Sequence, residues 1–204
     1  MTDAADSKAD LRQRLRAARR AHVAELPPSG RALLLLRPPR AIAESIDASA
    51  TIGVYAETAE EAPASGYARW FFDAGHSVAL PWFAHRGAAM EFRVWRNPHD
   101  PDLIERGPLG IAQPAGDPPA AVPDVLFVPL VGFTAAGARL GMGAGHYDRW
   151  LAAHPGVTAI GLAWDCQEAA ELPTEPHDHP LAAVITPTRL FGPFGGAPRQ
   201  SSPR

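Results

Sequence analysis

The 204-residue sequence holds a single cysteine, Cys166, so no disulfide can form within the chain and a reducing, cytoplasmic setting is expected. Cys166 itself reads as a small, half-buried side chain. No run of about 18 apolar residues occurs, which argues against a membrane-spanning helix. The opening residues, MTDAADSKADLRQ, lack the apolar centre of a signal peptide, so export is not expected. Neither sign of charge dominates. A formal net charge of -3 argues against a general affinity for nucleic acid or anionic membrane, so any anion site must be local. No Gly-Lys-Ser/Thr triplet is present, which removes the Walker type of phosphate loop.

What is present suits a buried core: 46% of residues are apolar and 20% charged, a balance expected of one soluble domain. Prolines and glycines fall between periodic segments and in the ending FGGAPRQSSPR, which is expected to be disordered from Gly192. Residues 1–191 then form the domain.

Ser7 is placed to cap a helix whose Leu11, Leu15, Ala18 and Leu26 share a face, ended by Pro27 and Pro28. A second helical segment, RALLLLR, breaks at Pro38 and Pro39 and resumes over Ile42 to Ile46. TIGVYA reads as a buried strand, followed by a helix from about Pro63 with Gly75 at its C-terminal end. SVALPW reads as the next strand. MEFRVW alternates like a half-exposed strand and is expected to form a small hairpin flap with its neighbours. DVLFVPL is nearly unbroken in its apolar character, as a parallel strand covered on both faces should be. A glycine-rich loop, a helix through GHYDRWLAAH and the strand VTAIGLA then make a βαβ unit, and AVITP is a last short strand. The alternation predicts an open three-layer α/β/α, Rossmann-like fold, mostly parallel, with a small hairpin elaboration.

The loop GARLGMGAGHYDR lies beyond the carboxyl end of DVLFVPL, where open α/β sheets collect ligands. Gly141, Gly143 and Gly145 permit close approach of the main chain, successive N–H groups and a helix start favour an anion, and Arg139 can add a bidentate contact. On the glycines alone, a turn without a ligand is the more frequent reading. The dinucleotide pattern fails because His146 stands at its third glycine, and Asp165 as a ribose acid is weak support for a redox enzyme. Asp148 at the start of a helix is either a dipole partner or a magnesium ligand. His177 and His179 flank Asp178 but lack the further ligands of a zinc site.

The segment VPLVGFTAAGARLGMGAGHYDRWL resembles the signature of the 5-formyltetrahydrofolate cyclo-ligase family, as do KADLRQRLRAAR, GPLGIAQP and LPTEPHDHPLAAVIT, in family order. The resemblance implies ATP- and Mg2+-dependent conversion of 5-formyltetrahydrofolate to 5,10-methenyltetrahydrofolate with release of ADP and phosphate. It implies an ATP site of Lys8, Arg12, Arg139, Leu140, Gly141, Met142, Gly143, Ala144, Gly145, His146 and Tyr147. Arg139 and Tyr147 take the catalytic positions, and Asp148 and Asp178 those of the metal. Glu61, Leu109, Met142 and His146 take the folate side, with Glu57 competing for the pterin contact; Trp82 is a further candidate to line that groove. Arg16, Arg19 and Arg20 are read as a solvated helix face. The partners are small molecules, reduced folate and ATP, with no nucleic acid or membrane, and a monomer is expected.

Four residues depart from the family pattern. His146 replaces the first aromatic of Tyr-Tyr-Asp, Leu109 an aromatic before Gly-Ile, Thr134 a frequent Asp, and Ala64 a frequent Thr. They leave open a shifted folate preference, or a folate- or nucleotide-binding protein that turns over weakly.

Overall fold

The computed structural model describes residues 7–173, 175 and 179–194. Helix α1 (Lys8–Glu25) begins as expected, the Ser7 hydroxyl accepting from the Asp10 N–H at 3.2 Å. Its buried line runs Leu11, Leu15, Arg19, so the third position is an arginine rather than Ala18. RALLLLR does not form the expected helix. Only single turns occur there, α2 (Pro28–Arg31) and α3 (Arg40–Ala43), with irregular chain between them. Leu35 takes a left-handed φ of 54°, which no α-helix accommodates, and Pro38 and Pro39 prevent its resumption before Arg40.

Next come β1 (Ile52–Gly53), α4 (Ser65–Asp73), β2 (Val78–Trp82) and β3 (Glu91–Val94), with Gly75 at φ 95° closing α4 as expected. Strands β4 (Ile104–Arg106) and β5 (Ala112–Pro114) pair as a hairpin. Then follow β6 (Val125–Pro129), β7 (Gly132–Phe133), β8 (Arg139–Leu140), α5 (His146–Ala153), β9 (Thr158–Leu162), β10 (Ala183–Ile185) and β11 (Leu190–Phe191).

Seven strands form one sheet in the order β11-β10-β9-β6-β1-β2-β3. The inner five are parallel, and the two edges, β11 and β3, are antiparallel. MEFRVW is therefore an edge of the main sheet and not a flap; the hairpin elaboration is β4–β5. The tail boundary also moves. Gly192–Phe194, assigned to the disordered tail from composition, are ordered: the Phe194 N–H donates to the Ala182 carbonyl at 2.7 Å, and the Phe194 ring packs on the core.

Strand β6 shows why the sheet is covered twice. Val125 and Phe127 join the cluster containing Tyr67 and Phe71 of α4, whereas Leu126 and Val128 join Trp150 and Leu151 of α5. The chain moves outward from β1 to β2 on one side, and from β6 to β9 and β10 on the other. The carboxyl ends of β1 and β6 thus border a topological switch point, where a ligand crevice is expected.

Candidate active site

Two connections meet at that switch point. The first leaves β6, passes through the β7–β8 hairpin and crosses Gly141–Gly145 into α5. The Leu140 side chain is buried with Leu11, Leu15 and Val131, so this residue offers a ligand its backbone only. Gly143 at φ 103° and Gly145 at φ 66° are left-handed, and Gly145 is the N-cap of α5. Helix α1 clamps this loop: Arg12 Nε donates to the Gly141 carbonyl at 2.9 Å, and Arg16 Nη2 to that of Met142 at 2.7 Å. One turn earlier, Lys8 pairs with Glu175 at 3.3 Å. Arg139, its side chain 3% exposed, pairs with Asp148 in the first turn of α5.

The second connection leaves β1 through Tyr55, whose hydroxyl donates to the Ala62 carbonyl. Glu61 is buried, its carboxylate accepting from the Thr58 N–H at 2.8 Å while Arg31 holds its carbonyl at 3.1 Å. Burial, and then the Glu61 charge, raise the Tyr147 phenol far above its ordinary range against the opposing pull of Arg139. The Tyr147 phenol therefore stays protonated at neutral pH. Glu57 acts on Tyr55 as well, but only Glu61 of the two bears on Tyr147.

His146 packs edge-on against Phe83 at 5.2 Å, and burial followed by the nearby Arg149 lowers its pKa. Asp148 keeps a side chain 27% exposed. One accessible carboxylate suits Mg2+, which takes one or two carboxylates and completes its shell with phosphate oxygens and water. Among the described residues no group of three or more His, Cys, Asp or Glu could hold a metal by itself. Asp178 and His177 lie outside the described residues.

The chain as a whole has known relatives. The sequence model of the 5-formyltetrahydrofolate cyclo-ligase family matches residues 4–187. The chain belongs to that family. The Escherichia coli K12 protein named 5-formyltetrahydrofolate cyclo-ligase is 32% identical over 187 residues, covering 89% of this chain and 98% of its own. The Mycolicibacterium smegmatis protein of the same name is 31% identical over 148 residues, covering 68% and 74%. Two solved 5,10-methenyltetrahydrofolate synthetases share the fold at 20% identity. The one from Aquifex aeolicus has a TM-score of 0.61 over 97% of this chain and 96% of its own. The one from Mycoplasma pneumoniae has a TM-score of 0.62 over 88% and 98%.

Within this cyclo-ligase scaffold the other candidate residues take distinct places. Leu109 sits in the β4–β5 turn, half-buried against the cluster of Phe83, Met90 and Phe92, on which Tyr147 also packs. Met142 is 45% exposed at the loop. Thr134 supplies a turn acceptor for the Ala138 N–H at 3.2 Å, a job an Asp could equally do. Trp82 has its ring covered by the Arg93 guanidinium at 3.7 Å, while Trp95, Trp150 and Trp164 are buried. Asp165 is not available as a ribose acid: Thr186 and Thr188 donate to it at 2.6 Å each. Burial pushes the Cys166 thiol up, which lowers its thiolate fraction at neutral pH.

The reading of Arg16 and Arg19 as solvated is corrected. Arg16 is half-buried on the loop, and Arg19 is 3% exposed with a 3.5 Å contact to Glu60. Arg20 remains exposed. The buried line at steps of four from Leu11 was the available signal for Arg19; Arg16 binds a main-chain oxygen 126 residues away, and such an acceptor leaves no mark in sequence. His179 was weighed only as a zinc ligand and read as part of a polar loop. Burial and the nearby Arg139 lower its pKa and Asp148 opposes them, so it stands beside that pair.

Proposed function

We propose that this chain is a single-domain cytoplasmic enzyme that uses ATP and Mg2+ to convert 5-formyltetrahydrofolate into 5,10-methenyltetrahydrofolate, releasing ADP and phosphate. One observation carries the reading. Tyr147 ends the glycine loop clamped by α1 and also stands within electrostatic reach of Glu61 from the β1 exit, so the loop suited to a nucleotide meets the acid suited to a pterin.

A formamide oxygen is a poor leaving group, and the reaction must first improve it. The formyl oxygen attacks the γ-phosphorus of ATP, forming an O–P bond as the bond to ADP breaks. The N10 lone pair then adds to the activated formyl carbon and N10 loses its proton. Cleavage of the C–O bond releases phosphate and leaves the methenyl bridge. Little proton chemistry falls to the protein, so positioning and charge neutralisation dominate.

The residues fit those tasks. Lys8, Arg12 and the N–H groups from Gly141 to Gly145 hold the triphosphate, and Arg139 faces the phosphoryl group in transfer. Tyr147 donates a hydrogen bond from its protonated phenol. Glu61 accepts from the donor edge of the pterin, with His146, Leu109 and Met142 bordering the folate. Mg2+, when bound, neutralises charge on the phosphate oxygens, with Asp148 and Asp178 as its protein ligands.

Purified protein given 5-formyltetrahydrofolate, ATP and Mg2+ should develop the near-ultraviolet absorbance of the methenyl product, and omission of ATP should abolish it. Absence of that absorbance with all components present overturns the proposal. His146 and Leu109 favour a second reading, a folate or nucleotide binder with weak turnover, which calorimetric binding without product would support.

A further inference from the structure

The geometry points to Arg16 as a positioning residue for the nucleotide loop, one that presets the Met142–Gly143 peptide so that its N–H faces a phosphate. This rests on the proposed use of ATP. In a trans peptide the carbonyl of one residue and the N–H of the next point in opposite directions. Arg12 draws the Gly141 carbonyl to α1 at 2.9 Å, which turns the Met142 N–H away from the helix. Arg16 draws the Met142 carbonyl to the same helix at 2.7 Å, which turns the Gly143 N–H away as well.

Along an extended strand successive carbonyls alternate in direction; here two neighbours face the same helix. Their following N–H groups consequently share the opposite side of the loop, the arrangement of a main-chain anion nest. Gly143 sustains it at φ 103°, a value that L side chains rarely adopt. Arg12 and Arg16 are four residues apart and so lie on one face of α1, each setting one peptide.

Arg16 is held where this function needs it. Its stem is half-buried, its Nη2 also lies 3.8 Å from the Met142 sulfur, and its Nε is buried with no hydrogen-bond partner.

The test compares Arg16→Met, which keeps an unbranched stem and loses the donors, with Arg16→Lys and with Arg40→Met, which removes a surface charge from α3. Arg16→Met should raise KM for ATP about tenfold, the scale of one charge-assisted hydrogen bond, and leave KM for 5-formyltetrahydrofolate within about twofold. Calorimetric ATP affinity should fall by the same factor. Arg16→Lys should recover part of that loss, and Arg40→Met should match wild type. A KM for ATP within about twofold of wild type in Arg16→Met, an equal rise in both KM values, or the same loss in Arg40→Met overturns the inference. Wild-type protein that makes no methenyl product overturns instead the proposed function, and the calorimetric comparison still decides Arg16.

Discussion

The two ends of the segment from Gly141 to Tyr147 are held by different chemistry. At Gly141 and Met142 the holding atoms are main-chain carbonyls, bound by Arg12 and Arg16. At His146 and Tyr147 they are side chains, set against Phe83 and within reach of Glu61. The carbonyl-held end is fixed chiefly through main-chain atoms, whereas the other depends on which side chains are there. Of the four departures from the family pattern, His146 and Leu109 lie on the side-chain end, and the Arg-Leu-Gly-x-Gly-x-Gly frame is intact.

The largest break should come just past the loop, at Asp148, which pairs with Arg139. Asp148→Asn keeps an acceptor for Arg139 but weakens the metal position, so kcat should fall about 100-fold, the scale of one lost preorganised contact. Thermal unfolding should shift by only a few degrees because the carboxylate is partly exposed. A large fall in unfolding temperature with unchanged specific activity would assign Asp148 to structure.

A cut at the side-chain end alone is Glu61→Gln. KM for 5-formyltetrahydrofolate should rise about tenfold or more, and KM for ATP should stay within about twofold, as expected for one charge-assisted contact to the folate. Parallel rises in both constants would show that the ends are not separable.

His146→Tyr sharpens the comparison by supplying an aromatic, and should lower KM for the folate about threefold through ring contact of modest worth. It also changes the pH response. Burial, with Arg149 second, lowers the His146 pKa below its ordinary 6.5. The unfolded chain then takes up this proton more readily than the folded one, so the residue's effect on stability is absent above that range and becomes destabilising as pH falls through it. Stability and folate affinity should both decline on the acid side in the wild type, and this component should vanish in His146→Tyr.

The smallest effect lies away from both ends. Burial works to raise the Asp165 carboxyl, but hydrogen bonds from Thr186, Thr188 and Arg189 outweigh it and hold the pKa below 3.8. Its contribution to stability is therefore present above the unfolded value and is lost as pH falls through the lowered one. Thr188→Val should raise the acid midpoint of unfolding slightly without altering turnover.

The legibility of this molecule follows the same division of forces. DVLFVPL betrayed β6 because burial on both faces demands apolar residues throughout, and Ser7 and Gly75 betrayed the ends they cap. RALLLLR misled because its leucines are helix formers, while the left-handed Leu35 and the close approach of the Leu35 carbonyl to Gly66 belong to tertiary packing. MEFRVW was correctly a strand, but alternation cannot say which partner it takes. Strand β11 was too short to carry a period. In the site, the glycines and Asp148 stood out by type and spacing. Arg16 did not, because a guanidinium on a distant carbonyl resembles any exposed arginine until the chain is folded.

The central claim is that the glycine loop serves transfer of a phosphoryl group to the formyl oxygen, and an oxygen label tests it most directly. With 5-formyltetrahydrofolate carrying 18O in the formyl group, the account predicts one 18O atom in each phosphate released and methenyl product formed in equal amount to ADP. Unlabelled phosphate, or ADP formed without methenyl product, would contradict it.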